Sequence, residues 1–168
     1  MANIILRLSG GVNNIEPNDA LGGSMGTDDD AIITTSNTNL NNLWDDITKV
    51  ENSSQTVDYR CVMIHNDTNT SGAVFAEGAS YLDGTSKAAV TIGYGSINSP
   101  TVTIPDENTA PAGITFSAAS SSSPLVFPGG ATLNPDDYLP IWIKRQAQNI
   151  SGSGTITDVI TLVVKGVE

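Results

Sequence analysis

From Tyr59 to Asn66 the chain reads Tyr-Arg-Cys-Val-Met-Ile-His-Asn, a β-type run that follows a long stretch rich in Asn, Asp, Ser and Thr. Period-two alternation puts Tyr59, Cys61, Met63 and His65 on one face and Arg60, Val62 and Ile64 on the other. Both faces are largely apolar, which predicts a strand in the middle of a packed sheet. Further β-type runs follow at residues 73–76, 79–82, 88–94, 101–104, 113–118, 138–147 and 155–164. Asp83-Gly84, Asn98-Ser99-Pro100, Pro111 and Pro128-Gly129-Gly130 punctuate them as turns. In the 138–147 run, Ile141 and Ile143 share a face and Trp142 takes the opposite one. The apolar run 155–164 predicts a central strand, and the serine-rich run 117–123 predicts a flexible loop.

Before Tyr59 the pattern is sparse. Ile4–Leu8 reads as a short strand, and the following residues to about Ser36 carry no usable periodicity. Leu40, Leu43, Trp44 and Ile47 fall at helical i, i+3, i+4, i+7 spacing behind a cap at Thr38 or Asn39, which suggests a short helix over 39–47. The expected architecture is all-β, an antiparallel β-sandwich of jelly-roll or Ig-like type with an extended N-terminal arm and one short helix. Residues 1–57 form the arm and residues 58–168 the sandwich, which is expected to fold without the arm. Ile4, Leu6, Leu40, Leu43 and Trp44 are the candidate partner-binding residues, although the first reading of the Leu40–Ile47 stripe is as cover for one end of the sandwich, with docking on a neighbouring subunit second.

Composition agrees with a turn-rich β protein: of 168 residues, 39% are hydrophobic and 15% charged, with 16 Gly and 8 Pro. The formal net charge is -11, with 18 acidic against 7 basic residues, and no basic cluster that would hold phosphates. Nucleic acid and anionic membrane are therefore not expected as partners. No apolar run reaches the ~18 residues of a membrane span. The N-terminus lacks the charged leader, apolar region and cleavage site of a signal peptide, which suggests assembly in a cytoplasm. The single cysteine leaves no intramolecular disulfide and no Cys-rich zinc site.

Asp67-Thr68-Asn69-Thr70-Ser71-Gly72 matches the opening of a calcium loop, which makes Asp67, Asn69 and Ser71 the metal candidates. The twelfth position, where a bidentate Glu belongs, is Gly78, with Glu77 one residue early; a polar hairpin turn accounts for the same residues. No cofactor is expected. His65 is the single histidine, and Cys61 lies four residues away on the same strand, roughly 13 Å at strand rise, too far for a nucleophile and its base. No G-x-S-x-G nucleophile elbow and no phosphate cradle occur. No catalytic residue is assigned.

Several blocks, in order along the chain, carry a family likeness. They are Leu8-Ser9-Gly10-Gly11 leading to Asn18 and Leu21-Gly22-Gly23; Asn42-Leu43-Trp44-Asp45-Asp46-Ile47 with Glu51; and Asp58-Tyr59-Arg60-Cys61-Val62 with Asn66. Asp106-Glu107-Asn108-Thr109-Ala110-Pro111 leads to Gly113-Ile114-Thr115-Phe116, and Ile141-Trp142-Ile143-Lys144-Arg145 is last. With these blocks the chain resembles a family of small virion structural proteins of tailed bacteriophages. The resemblance implies a non-enzymatic component of the virion, foremost a capsid decoration or cement protein that clamps neighbouring shell subunits. Its expected partners are the major capsid protein or other virion proteins and further copies of itself, a trimer being the first expectation. A neck, tail or baseplate component is the nearest alternative, and a carbohydrate-binding module of a receptor-binding tip is the alternative from another class.

Overall fold

The computed structural model describes residues 2–34, 43–67, 73–84, 86–151 and 159–167. It is an all-β fold of two antiparallel sheets that form a sandwich. The larger sheet has strand order β2-β1-β3-β7-β5, with β1 at Ile4–Leu8, β2 at Ile32–Ile33, β3 at Val57–Asn66, β5 at Ala89–Tyr94 and β7 at Tyr138–Gln146. The smaller has the order β6-β4-β8, with β4 at Ala76–Asp83, β6 at Leu125–Val126 and β8 at Thr161–Val167.

The alternation in β3 decides the layering. Val62 and Ile64 join Ile92, Leu139, Ile141 and Ile143 in the main core, together with Phe75, Phe127 and Leu133. Tyr59, Cys61 and Met63 join Trp142 and Ile104 in a second core on the opposite face of the sheet. Among the described residues no strand layer covers that second face. Coil segments do: Ile114 and Phe116 pack on it, and beside them the segments at 21–25 and 101–104 are paired to each other by the hydrogen bonds Gly23 N–H to Thr101 O, Thr101 N–H to Gly23 O and Ile104 N–H to Leu21 O. The 101–104 run, expected as a strand, thus serves as a strap. Trp142, fully buried, donates its indole N–H to Thr101 Oγ1 at 2.9 Å beneath it.

Several expectations are corrected. The segment expected as an arm supplies β1 and β2 to the main sheet: Leu6 pairs with Ile64 and Leu8 with Val62, and Leu8, Ala20 and Ala31 form a small fully buried cluster. Sparse periodicity does not prevent this, because β1 buries its side chains against residues far away in sequence. Residues 35–42, including Leu40, lie outside the described residues, and 43–47 are not helical. The carbonyls of Leu43 and Asp45 accept from Arg60 and Arg145 instead of from amides one turn on. A helix, α1 at Lys49–Ser54, begins just afterwards, where Thr48 and Glu51 form a reciprocal capping box.

The runs 73–76 and 79–82 contribute to one strand, β4, with a bulge at Glu77 and Gly78. A Cβ on Gly78 would sit 2.2 Å from the Phe127 ring, so the missing side chain lets that ring lie against the backbone. The last strand is not central: β8 pairs with β4 alone among the described residues, and its burial is partial. Leu162 and Val164 reach the core while Thr161 and Lys165 face out, a pattern that an apolar run does not foretell. The start of the serine-rich run is packed down, where Ser117 exchanges backbone hydrogen bonds with Ile92 and buried Ala119 accepts from Leu82 N–H, while Ser120–Ser123 form an exposed turn.

Candidate functional site

The densest polar constellation lies where β3 and β7 emerge from the main core. Even-numbered residues of β3 and odd-numbered residues of β7 share one sheet face, so Asp58, Arg60 and Arg145 follow Val62 and Ile143 along it. The indole of Trp44 meets both guanidinium groups, 4.7 Å from Arg145 and 5.4 Å from Arg60, each close enough for a cation–π contact. Arg60 is buried and forms an ion pair with Glu107. Arg145 donates to Asp58 Oδ2 through both Nε (2.9 Å) and Nη2 (2.7 Å), and also reaches Asp45 at 3.3 Å. Asn108 Nδ2 occupies the other oxygen of Asp58 at 2.9 Å. A cleft of about 360 Å³ opens beside these groups between Asn18, Asp45, Arg60, Asp106, Glu107 and Asn108.

This arrangement is a clasp. Both arginines are neutralised and hydrogen-bonded, so the site has little to offer an anion. The carboxylates of Asp45, Asp58 and Glu107 are engaged by the arginines and that of Asp106 by Asn108 N–H and Thr109 Oγ1, and among the described residues no group of three or more His, Cys, Asp and Glu side chains is placed to hold a metal. What it does is fasten the chain at 43–46 to the sheet, across 100 residues of sequence in the case of Asp45 and Arg145.

The sequence-predicted residues are dispersed. Ile4 and Leu6 pack on the main core, Leu43 packs on both that core and the Leu8 cluster, and Trp44 sits in the clasp. These partner-binding candidates are engaged within the chain rather than gathered into one exposed patch. Leu40 lies outside the described residues, as do Asn69 and Ser71 of the calcium-loop pattern. Asp67 is half-buried, and its Oδ2 accepts from Asn3 Nδ2 at 3.3 Å. The charged members Asp58, Arg60, Glu107 and Arg145 were not predicted. The available signal was an arginine at an inward position of an otherwise apolar strand, because a buried guanidinium requires a carboxylate.

His65 is also buried. Arg7 Nε donates to its Nδ1 at 3.3 Å, and Arg7 Nη1 reaches the carbonyls of Thr27 (3.3 Å) and Asp28 (3.0 Å). Burial, then the Arg7 charge, pushes the imidazole below its ordinary pKa, against the opposing pull of Asp67 and Asp136. Cys61 is fully buried and its thiol is pushed far up by desolvation. Neither group is poised as a nucleophile or base. Among the described residues no helix is long and apolar enough to cross a membrane. No family model, curated protein or solved structure matches this chain.

Proposed function

We propose that the chain is a non-enzymatic structural protein of a tailed-bacteriophage particle. Within that class the role is capsid decoration: an oligomer, with a trimer first, that cements neighbouring subunits of the major capsid protein.

One observation carries the reading. The blocks on which the phage-family resemblance rests are scattered in sequence, yet in space they meet around the first half of β3. Ser9 Oγ donates to Cys61 O, Cys61 N–H donates to Ala20 O beside Leu21, and Tyr59 N–H donates to Glu107 O. Arg60 binds Leu43 O and Glu107, Arg145 binds Asp58, and Phe116 packs on Tyr59 with ring centroids 5.5 Å apart. The residues of these blocks bind one another along β3, which supports a framework role for them. A protein whose resemblance lies in its framework fits an assembly part better than a catalyst. Clamping stabilises a particle because the protein binds the assembled shell and not its dissociated subunits.

The test is quantitative gel densitometry of purified particles against the major shell protein. A copy number approaching that of the shell protein supports cementing. A count far below it moves the chain to the neck, tail or baseplate, and absence from the particle removes the virion reading.

A further inference from the structure

Arg7 and His65 are diagonal neighbours on the second face of the larger sheet, where β1 meets β3 with Ile5 opposite His65 and Arg7 opposite Met63. Both are buried, each with 6% exposure. Arg7 Nε donates to His65 Nδ1 at 3.3 Å, which requires a neutral imidazole with its proton on Nε2. Arg7 Nη1 reaches three successive carbonyls, those of Gly26 (3.5 Å), Thr27 (3.3 Å) and Asp28 (3.0 Å). One guanidinium therefore joins the imidazole on β3 to the turn that leads into β2.

That turn has few other ties. Gly26 N–H donates to Leu8 O at 2.9 Å on one side of it, and buried Ala31 with the β2 pairing holds the other. Between them residues 27–30 are exposed, and Asp28, Asp29 and Asp30 repel one another. Among the described residues, the only hydrogen bonds from 27–30 to β1 or β3 are those of Arg7.

We propose that the Arg7–His65 pair is an acid-sensitive latch: a proton on His65 Nδ1 unseats Arg7 and frees the turn at 27–30 while the sandwich stays folded. The proton replaces the acceptor of the Arg7 Nε–H by a second donor and sets two cations against each other at a buried site. Arg7 is the partner that yields. His65 stands on β3, which is paired on both sides, to β1 and β7. Arg7 belongs to a strand whose outer neighbour is the two-residue β2, and its guanidinium rests on an exposed turn.

The charged and titratable groups around the imidazole come from four elements. They are Arg7 on β1, Asp67 just past β3, Asp136 in the loop before β7, and Tyr138, the register partner of His65 on β7. Asp67 Oδ2 accepts from Asn3 Nδ2, and the neighbouring Asp137 carboxylate is taken by Asn98 and Asn134. The turn itself offers Arg7 the Asp28 carbonyl, with the Asp28 residue exposed. The charges of Asp67 and Asp136 favour the imidazolium, so the open form is a second defined state and not the start of general unfolding. Burial and the Arg7 charge hold the imidazole below its ordinary 6.5, which places the switch on the acid side of neutrality. The inference concerns the fold and stands whether or not the protein is part of a virion.

The experiment is amide hydrogen exchange of the full chain, read by NMR from about pH 7.5 to about pH 4.5, with the His65 ring followed in the same samples. Protection factors remove the intrinsic pH dependence of exchange. As the ring titrates, protection of the Gly26, Ala31 and Ile32 amides is expected to fall at least about tenfold with the same midpoint, while that of Val62 and Ile64 holds. His65→Asn keeps an oxygen acceptor for Arg7 and is expected to hold the turn closed at every pH. Asp28, Asp29 and Asp30 remain in that variant, so their own titration near about pH 4 is separated from that of the imidazole. Arg7→Met is expected to leave the turn open throughout and to raise the pH at which the His65 ring titrates. An imidazole that stays neutral over the whole range overturns the proposal, as does a turn that keeps its protection once the ring is charged, or loss of the core amides together with it. Opening of His65→Asn with the native midpoint also overturns it, and so does a turn that stays closed, or still responds to pH, in Arg7→Met.

Discussion

Asp58 accepts two hydrogen bonds from Arg145 through one oxygen, at 2.9 and 2.7 Å, in a pair where the carboxylate side chain is 6% exposed and the guanidinium 12%. The bond joins β3 to β7 at the end of the main core, where the smaller sheet no longer supplies a cover. Removing Asp58 leaves the Arg145 guanidinium with the more exposed Asp45, at 3.3 Å, as its remaining counter-ion. Asp58→Ala is therefore expected to lower unfolding free energy by about 3 kcal/mol in urea denaturation, the lower end for a broken buried pair. Combining it with Arg145→Met should cost clearly less than the sum of the single changes; strict additivity would show that the pair is not coupled.

Trp44 is the lid of the same cluster. Replacing it by Leu keeps apolar cover over the sheet but removes the ring that both guanidinium groups face. A loss of about 1–2 kcal/mol is expected in the same assay. A change within experimental error would mean that the indole contributes area alone.

The N-terminal strand belongs to the sheet, so a chain lacking residues 1–57 should not fold. It would expose the edge of β3 and lose the Leu8, Ala20 and Ala31 cluster. Circular dichroism and amide dispersion should show an unfolded or aggregated product. The milder Leu8→Ala is expected to cost about 2–5 kcal/mol, as for a fully buried leucine. A soluble, cooperatively melting truncation would restore the arm reading.

His65 predicts a pH dependence of stability. Its folded pKa lies below the ordinary 6.5, so near that pH the unfolded chain binds more protons than the folded one, and stability rises with pH. The imidazole's contribution should be complete above pH 6.5, decline as pH falls below it, and level off once the folded state also protonates. Protonation there places a second cation against Arg7. His65→Asn, which retains an oxygen acceptor for Arg7, should flatten that part of the pH–stability curve; an unchanged slope would assign it to other groups.

Cys61 should resist thiol reagents in the native state, since it is fully exposed only when β3 leaves the sheet. Its labelling rate with 5,5′-dithiobis(2-nitrobenzoate) is expected to track global unfolding as urea is raised. Fast labelling in the absence of urea would reveal local opening of the strap over the second core.

Local alternation determined much of this protein. The β class, the central place of β3 and the opposite faces of Ile141 and Trp142 follow from period-two spacing, which each segment carries by itself. Tertiary structure decided where coverage and pairing came from. Ile4–Leu8 reads the same whether it is a free arm or a sheet strand until Leu6 meets Ile64. Leu43, Trp44 and Ile47 keep helical spacing, yet Arg60 and Arg145 take the carbonyls of Leu43 and Asp45 and the helix starts later. The Asp58–Arg145 pair spans 87 residues, and Arg60 reaches Glu107 across 47. A buried arginine declares that a carboxylate must be near, but which one depends on how distant strands align, and that alignment is fixed only when the whole core packs.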